Sequence, residues 1–158
     1  MVRHQRIILV SGIPASGKPT YARWLASSKQ YIHLDVDFAA NWQLPLDVWL
    51  ESMRQSQNNG IIDWGFPPAS IDIVKWIVSE GVEPWWFDGD RTAARQAFSE
   101  RHERGEHPAE LDAFDHQMTQ IQAHWAEIEQ VFRGRIIRSI LAGPTYLDVE
   151  SLFDEMGL

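Results

Sequence analysis

The sequence predicts an α/β protein in which a doubly wound parallel sheet of five strands lies between two helical layers. Short apolar runs alternate with amphipathic stretches along the 158 residues, which is typical of strands joined by crossover helices. Loop glycines and acidic residues follow these apolar runs, where ligands bind in sheets of this kind. Because no internal repeat or low-complexity linker divides the chain, we expect one domain covering residues 1–158.

Five apolar runs are the predicted strands. The first, residues 6–10, is continuously apolar after Arg6, as expected for a strand that is covered on both faces. The others are residues 31–34, a run that opens at Ile61 and continues into Asp63, residues 82–87 and residues 136–141. Each is followed by a loop or acidic segment, so we expect five loops to meet at one edge of the sheet.

Helices are predicted between these runs, from about 18 to 28, in the second half of 38–58, from 71 to a stop at Gly81, and from 148 to 156. The most regular pattern lies between 111 and 132, where apolar residues recur at steps of three and four. These residues are Leu111, Phe114, Met118, Ile121, Trp125, Ile128 and Phe132. We interpret them as the core-facing stripe of one helix.

The composition argues against several classes of protein. A net charge of −8 disfavours a general nucleic-acid binder, which would usually be basic, although it leaves room for a local basic site. With no cysteine in the chain there is neither a disulfide framework nor a Cys-based zinc site. The first apolar run is far too short for a signal peptide or a membrane span. We therefore expect a cytoplasmic protein with no membrane association.

The segment between the first strand and the first helix matches the pattern G-x-x-x-x-G-K. Glycines allow the backbone angles of a loop whose N–H groups converge on an anion, and the following helix adds the positive end of its dipole. Lys18, one of three lysines in the chain, supplies a mobile charge for the outer phosphates of a nucleotide. The predicted phosphate-binding residues are Gly12, Pro14, Ala15, Ser16, Gly17, Lys18, Pro19 and Thr20.

Pro19 departs from the usual pattern, which has Ser or Thr directly after the lysine as a magnesium ligand. Proline has neither a hydroxyl nor an N–H group, so one phosphate hydrogen bond, worth roughly 1.5–3 kcal/mol, is lost. Proline is tolerated in a first helical turn, and the fold should therefore survive. Two interpretations stay open: a variant site that works through Thr20 and a water-held metal ion, or a weakened site.

Extended to Thr20, the motif Gly12-x-Pro14-x-Ser16-Gly17-Lys18-x-Thr20 resembles the loop of the small P-loop kinases. These include adenylate kinases, polynucleotide 5′-kinases and the kinases of small antibiotics and sugars. Adenylate kinases also place a residue without a hydroxyl after the lysine and a threonine next. The resemblance implies a P-loop NTPase fold with an arginine-rich lid at about 88–110, and it implies ATP and Mg²⁺ as cofactors.

The resemblance also implies roles for acidic residues at two other strand ends. Asp35 and Asp37 lie where these kinases keep the acid that activates the acceptor hydroxyl. Two residues apart on an extended strand, they point the same way, so either could be the base. We favour Asp35 narrowly, and the alternative role of Asp37 is a helix cap. Asp63 is similar to the Walker B position, which holds magnesium through water, and its alternative role is a turn carboxylate beside Trp64.

Arginines and a late turn complete the implied site. Arg91, Arg95, Arg101 and Arg104 lie where such kinases carry lid arginines. The first three could hold the leaving phosphate in a closed lid through bidentate contacts. The alternative is a solvated charged stretch that pairs with nearby glutamates. Gly143 and Pro144 resemble the turn that flanks the adenine ring.

We therefore expect a kinase that transfers the γ-phosphate of ATP to a hydroxyl of a small molecule. One alternative is a polynucleotide 5′-hydroxyl kinase, which would need a basic channel for the strand, and the acidic net charge disfavours it. The other is a degenerate P-loop protein that binds nucleotide without kinase activity. Acceptor specificity belongs to 38–58 and the lid, where no pattern identifies the acceptor, and nothing in the sequence indicates an oligomeric state.

Overall fold

One six-stranded sheet organises the structure. A computed structural model describes residues 4–36, 45–106 and 110–158. The strands are β1 (Ile7–Gly12), β2 (Ile32–Asp35), β3 (Gly60–Asp63), β4 (Glu83–Gly89), β5 (Ile136–Leu141) and β6 (Thr145–Tyr146). Their order is β2-β3-β1-β4-β5-β6. The five predicted strands are parallel, as expected, and the short β6 adds an antiparallel edge beside β5.

Helices cover both faces of this sheet, which confirms the predicted three-layer architecture. Within the described residues they are α1 (Lys18–Ser28), α2 (Leu46–Ser56), α3 (Ile71–Ser79), α4 (Arg91–Glu103), α5 (Leu111–Ala123), α6 (Trp125–Val131) and α7 (Val149–Glu155). A short 3₁₀ helix, Pro68–Ser70, leads into α3. No helix in the described part of the chain is both long enough and apolar enough to cross a membrane.

The central strand β1 explains why the first apolar run is continuous. Leu9 packs in the core cluster on the side of α2 to α6, whereas Ile8 and Val10 pack in the cluster on the side of α1 and α7. All three side chains are fully buried. A strand between two helical layers buries both of its faces, so alternation with polar residues disappears. This arrangement places the end of β1 at the centre of one sheet edge.

The apolar stripe between 111 and 132 belongs to two helices rather than one. It faces the core as predicted, since Phe114, Ile121 and Ile128 are buried. The helix is interrupted at His124, which ends α5 and precedes α6. Its backbone N–H donates to the carbonyl of Gln120 at 3.1 Å, and its ring Nδ1 lies 3.0 Å from the same oxygen. The backbone bond is a regular helical one, whereas a side-chain contact to a carbonyl four residues earlier is of the kind that bends helices. The stripe pattern is insensitive to such a contact.

Most of the predicted lid is a helix anchored in the core. Asp90 caps α4 by accepting a hydrogen bond from the Ala93 N–H at 2.8 Å. Four side chains on one face of α4 are buried: Ala93, Ala94, Ala97 and Phe98. Such packing holds residues 91–103 against the sheet. Of the remaining lid segment, residues 107–109 lie outside the described residues.

Candidate active site

The loop between β1 and α1 begins with a glycine that no other residue could replace. Gly12 has φ 151°, and a Cβ atom built on it would lie 2.1 Å from the carbonyl oxygen of Phe87. The next residue, Ile13, donates its backbone N–H to that same oxygen at 3.0 Å. The start of the loop is therefore fixed against β4, and the missing side chain of Gly12 is what allows this approach.

Left-handed residues then turn the chain into α1. Ala15 has φ 60° and Gly17 has φ 89°, and Gly17 is the residue that precedes the helix. Backbone conformations of this kind let successive N–H groups converge on an anion. Pro19 lies in the first turn of α1, where a missing N–H breaks no helical hydrogen bond. The helix forms despite the proline, as the sequence predicts.

The charge of Lys18 lies against this loop. Its side-chain Nζ donates to the carbonyl of Ile13 at 2.9 Å and to Ser16 Oγ at 3.3 Å. The residue is only 8% exposed. A buried ammonium group at the N-terminus of a helix favours the binding of an anion such as a polyphosphate.

Two hydroxyl groups from the far end of the chain fasten the loop from behind. Ser139 of β5 donates to the carbonyl of Ser16, and Tyr146 of β6 donates to the carbonyl of Ala15, both at 2.8 Å. Burial of its hydroxyl end raises the pKa of Tyr146 above the ordinary value, so the phenol remains a donor at neutral pH. Neither residue was predicted as part of the site. For Ser139 the sequence offers one weak indication, a serine inside the apolar run 136–141. For Tyr146 no sequence pattern indicates a role at the loop.

Two cavities adjoin the loop. The larger of the two, of about 550 Å³, lies on the side of the loop nearest β6 and α7. Ser16 and Gly17 of the loop line it. Further lining residues are Thr20, Tyr21, Arg101, Arg104, Pro144 and Tyr146. Pro144 follows Gly143, whose φ of 71° forms the turn between β5 and β6. Of the two residues that the sequence predicts beside the adenine, the structure thus places Pro144 on the cavity wall.

A smaller cavity of about 250 Å³ lies on the other side of the loop, towards β2 and β3. It is lined by Lys18, Pro19, Asp35, Asp63 and Gln117, with Pro14, Ala15, Gly65, Phe98 and Ala113. Ser16, Gly17 and Arg101 line both cavities. The loop and Arg101 therefore form the boundary at which the two cavities meet.

The two carboxylates of the smaller cavity come from neighbouring strand ends. Asp35 of β2 and Asp63 of β3 are partners in the parallel register, so their side chains leave the same face of the sheet. Asp63 is only 5% exposed, and its Oδ2 lies 3.5 Å from Nε2 of His33. Asp37, the other predicted base, lies outside the described residues.

The two predicted magnesium ligands do not line the same cavity. Asp63 lines the smaller one, whereas Thr20 is exposed and lines the larger one. On a helix each residue is rotated by about 100° from the one before, so Pro19 takes the position towards the carboxylates and Thr20 faces away. In the described ranges no three His, Cys, Asp or Glu residues are grouped as a metal site. A pair of carboxylates is a ligand set that Mg²⁺ accepts, since this ion takes one or two carboxylates together with phosphate oxygens and water.

Arg91 and Arg95 are held by carboxylates elsewhere. Arg91 lies 3.3 Å from Oδ2 of Asp88, and Arg95 makes two hydrogen bonds to Asp115, at 2.9 and 3.1 Å. The hydrogen bond from Arg95 lowers the pKa of Asp115. Neither arginine lines either of the two cavities at the loop. Their predicted catalytic role stays a prediction. Of the other predicted lid arginines, Arg101 lines both cavities and Arg104 lines the larger one.

Comparison with known proteins identifies the fold. No protein-family model and no curated protein matches this chain. The structure is similar to shikimate kinase from Bacteroides thetaiotaomicron, with a TM-score of 0.62 and 13% identity over 97% of this chain and 99% of that one. It is also similar to a gluconokinase from Sinorhizobium meliloti, with a TM-score of 0.55 and 15% identity over 98% and 90% of the two chains. An uncharacterised protein from Eubacterium ventriosum is similar as well, with a TM-score of 0.60 and 12% identity over 96% of each of the two chains. The chain thus has the fold of the small P-loop kinases.

Proposed function

We propose that this protein is an ATP- and Mg²⁺-dependent kinase that phosphorylates a hydroxyl group of a small molecule. The observation that carries the proposal is the meeting of two cavities at one phosphate loop. One cavity is large enough for a nucleotide, and the other contains two strand-end carboxylates. Phosphoryl transfer requires such an arrangement, because donor and acceptor must approach the transferred group from opposite sides.

The larger cavity is the proposed nucleotide site. The loop amides and Lys18 would bind the outer phosphates, and Arg101 would contact the phosphate that passes between the cavities. The ring of Tyr146 is partly exposed and lies close to Gly17, while Pro144 lies on the same wall. An aromatic ring and a proline provide an apolar surface for a nucleobase, so we assign the base to this end of the cavity.

The smaller cavity is the proposed acceptor site. Asp35 would accept the proton of the acceptor hydroxyl as its oxygen bonds to the γ-phosphorus. The bond between that phosphorus and the bridging oxygen to the β-phosphate breaks, and ADP leaves with the electron pair. Lys18 and Arg101 would neutralise charge on the transferred group. Mg²⁺, held through Asp63 and water, would supply further neutralisation of the β- and γ-phosphates.

Pro19 supports a second candidate, a protein that binds nucleotide without transferring phosphate. Pro19 lines the smaller cavity at the place where the usual motif has a hydroxyl ligand for magnesium. The variant Pro19→Ser separates the two candidates. In a working kinase it should change kcat only modestly, whereas in a degenerate site it should create metal-dependent ATP affinity that the natural chain lacks. Calorimetric titration with ATP, with and without Mg²⁺, measures the difference.

Thermal unfolding with MgATP is the primary test of the kinase proposal. A ligand that binds only the folded chain stabilises it by about 2.7 kcal/mol at a concentration of 100 times Kd, so the melting temperature should rise with MgATP. Lys18→Ala should reduce this rise and lower transfer from labelled ATP by about 10²–10³-fold, because a charge aimed at the transition state is removed.

Lys75→Ala is the matched control, because Lys75 lies on α3 and pairs with Glu127 at 3.1 Å, away from both cavities. It should leave binding and transfer as in the natural chain. No rise in melting temperature with MgATP, together with no transfer to any hydroxyl compound, would contradict the proposal.

A further inference from the structure

We infer that the acceptor is a small polyhydroxy compound that is uncharged or carries an amine, and not an acid. This inference rests on the proposed kinase function and adds the chemical class of the substrate. It distinguishes this site from the activities named for the two similar structures, because gluconate and shikimate are both carboxylates. The charges around the smaller cavity carry the inference.

The two cations that line the smaller cavity are already required by the phosphates. Lys18 is held at the loop by the carbonyl of Ile13. Arg101 lines the larger cavity as well, which places it where the transferred phosphate would pass. The other charged lining residues are Asp35 and Asp63. Among the described residues, therefore, no further cation lines this cavity to bind the carboxylate of an acceptor.

Two of the segments outside the described residues also lack a lysine or arginine in their sequence. The sequence from 36 to 46 connects β2 to α2 and contains no lysine or arginine, whereas it contains Asp37. Residues 107–109 contain His107 and likewise no lysine or arginine. An acid acceptor would bring its own carboxylate close to those of Asp35 and Asp63, and like charges brought together in an interface are strongly unfavourable.

The neutral lining residues match hydroxyl groups. A Cβ atom built on Gly65 would lie 3.8 Å from Cε of Lys18 and 3.9 Å from Nε2 of Gln117, so the Gln117 amide lies across a narrow space from the loop lysine. An amide both donates and accepts hydrogen bonds, and a hydroxyl group does the same. Carboxylates accept from a hydroxyl or an ammonium group. Phe98 and Ala113 add an apolar surface for carbon–hydrogen groups of the acceptor.

The volume of the cavity limits the size of the acceptor. About 250 Å³ is less than the roughly 300–1,000 Å³ of pockets that hold drug-sized ligands, and the transferred phosphate needs part of it. A compound of five to six carbons, rather than a polymer, fits this space.

Matched acceptors test the inference. For the gluco, galacto and ribo skeletons, the alditol, the 1-amino-1-deoxyalditol and the aldonate share one carbon chain and differ in charge. Transfer from labelled ATP to each gives kcat/KM under identical MgATP saturation. We expect the best neutral or amine-bearing compound to exceed its aldonate by at least about tenfold.

Three outcomes of these assays would overturn the inference. An aldonate that is phosphorylated as well as its alditol shows that the site accepts acids. If MgATP raises the melting temperature but none of the nine compounds is phosphorylated, the substrate class is wrong while nucleotide binding stands. If MgATP does not bind, the kinase proposal itself fails, and the inference fails with it.

A charge introduced at Gln117 provides an independent test. Gln117→Arg places a cation opposite the loop lysine and should raise the ratio of aldonate to alditol kcat/KM by about tenfold or more. Gln130→Arg is the control, because Gln130 lies exposed on α6 and should leave that ratio unchanged. An unchanged ratio in folded Gln117→Arg, verified by its melting curve, would show that this residue does not face the acceptor and would overturn the assignment of the cavity.

Discussion

The two cavities at the phosphate loop are built from different kinds of residue. The smaller cavity takes its chemistry from strand ends and from the loop itself: Lys18 follows β1, Asp35 ends β2 and Asp63 ends β3. The larger cavity takes most of its wall from the edge of the sheet and from helix surfaces, including Tyr146 and Arg104. Residues of the first kind are placed by the topology of a parallel sheet. Residues of the second kind depend on how helices and an edge strand pack.

This comparison predicts that substitutions on the two sides will affect different kinetic constants. Changes in the smaller cavity should act on the acceptor and on kcat. Changes at the contacts between the loop and the edge strand should act on nucleotide binding and on stability.

Removing the carboxylate of Asp35 should have the largest effect. Asp35→Asn keeps the shape of the side chain but cannot accept the proton of the acceptor hydroxyl, so kcat should fall by about 10²–10⁴-fold. Binding of ADP without metal should be unchanged, because Asp35 lies on the acceptor side. Steady-state transfer and calorimetric titration measure the two quantities.

Asp72→Asn is the control for this change, since the Asp72 side chain is 90% exposed on α3. Its kinetics should equal those of the natural chain. If Asp35→Asn retains full activity, Asp37 becomes the candidate base, and Asp37→Asn should then show the loss.

Narrowing the smaller cavity should have an intermediate effect. At Gly65 a Cβ atom would make ordinary contacts at 3.8 and 3.9 Å, so Gly65→Ala should fold normally while it fills space between Lys18 and Gln117. We expect the KM of the acceptor to rise by about tenfold, the equivalent of roughly 1.4 kcal/mol, with the KM of ATP nearly constant.

Gly134→Ala is the control for a glycine-to-alanine change away from the cavities. Gly134 has φ 76°, so its alanine variant should be strained and have a lower melting temperature. The KM values of ATP and of the acceptor should not change. If Gly65→Ala raised the KM of ATP and left that of the acceptor unchanged, the assignment of the two cavities would be reversed.

Substitutions at two tyrosines should have the smallest effects, which are changes of opposite sign in the free energy of unfolding. Tyr146→Phe removes the hydrogen bond to the Ala15 carbonyl and should lower the free energy of unfolding by about 0.5–1.5 kcal/mol, together with nucleotide affinity. Tyr21 is fully buried, and within the described part of the chain its hydroxyl has no hydrogen-bond partner. Tyr21→Phe should therefore leave the free energy of unfolding equal or higher by up to about 1 kcal/mol. Urea unfolding at pH 7 measures both.

Alkaline pH adds a second measurement on the same pair. Burial raises the pKa of Tyr21 and of Tyr146, so folding favours the neutral phenols. The resulting stability is present below the unfolded pKa of about 10 and is lost as pH rises through the folded values. Unfolding curves above pH 10 should show a smaller loss for Tyr21→Phe than for the natural chain. An equal loss would mean that Tyr21 is not buried in solution.

The loop, the parallel strands and the helical stripe were predictable because each is a local pattern. Gly17 meets a local backbone requirement of the turn into α1, and the two-sided burial of β1 shows in its own sequence as a continuous apolar run. Gly12 fits the same local pattern, although the contact that excludes a side chain there is with Phe87 of β4. The break at His124 was missed, because an apolar stripe continues across an interruption of one residue. Arg101 and Arg104 were identified together with Arg91 and Arg95, but spacing alone did not separate the two arginines that line the cavities from the two held by Asp88 and Asp115.

Because Lys18, Asp35 and Asp63 follow or end predicted parallel strands, the sequence was enough to predict that they lie at one edge of the sheet. Parallel strands all end at the same edge. Packing between helices and strands determined where the other side chains of the site lie. The rotation of α1 sends Thr20 away from Asp63, and a two-residue strand brings Tyr146 to the carbonyl of Ala15, 131 residues earlier in the chain. A local motif records the backbone angles and charges that a loop requires. The direction of each side chain follows from contacts between distant segments, and these exist only once the sheet and its helices have assembled.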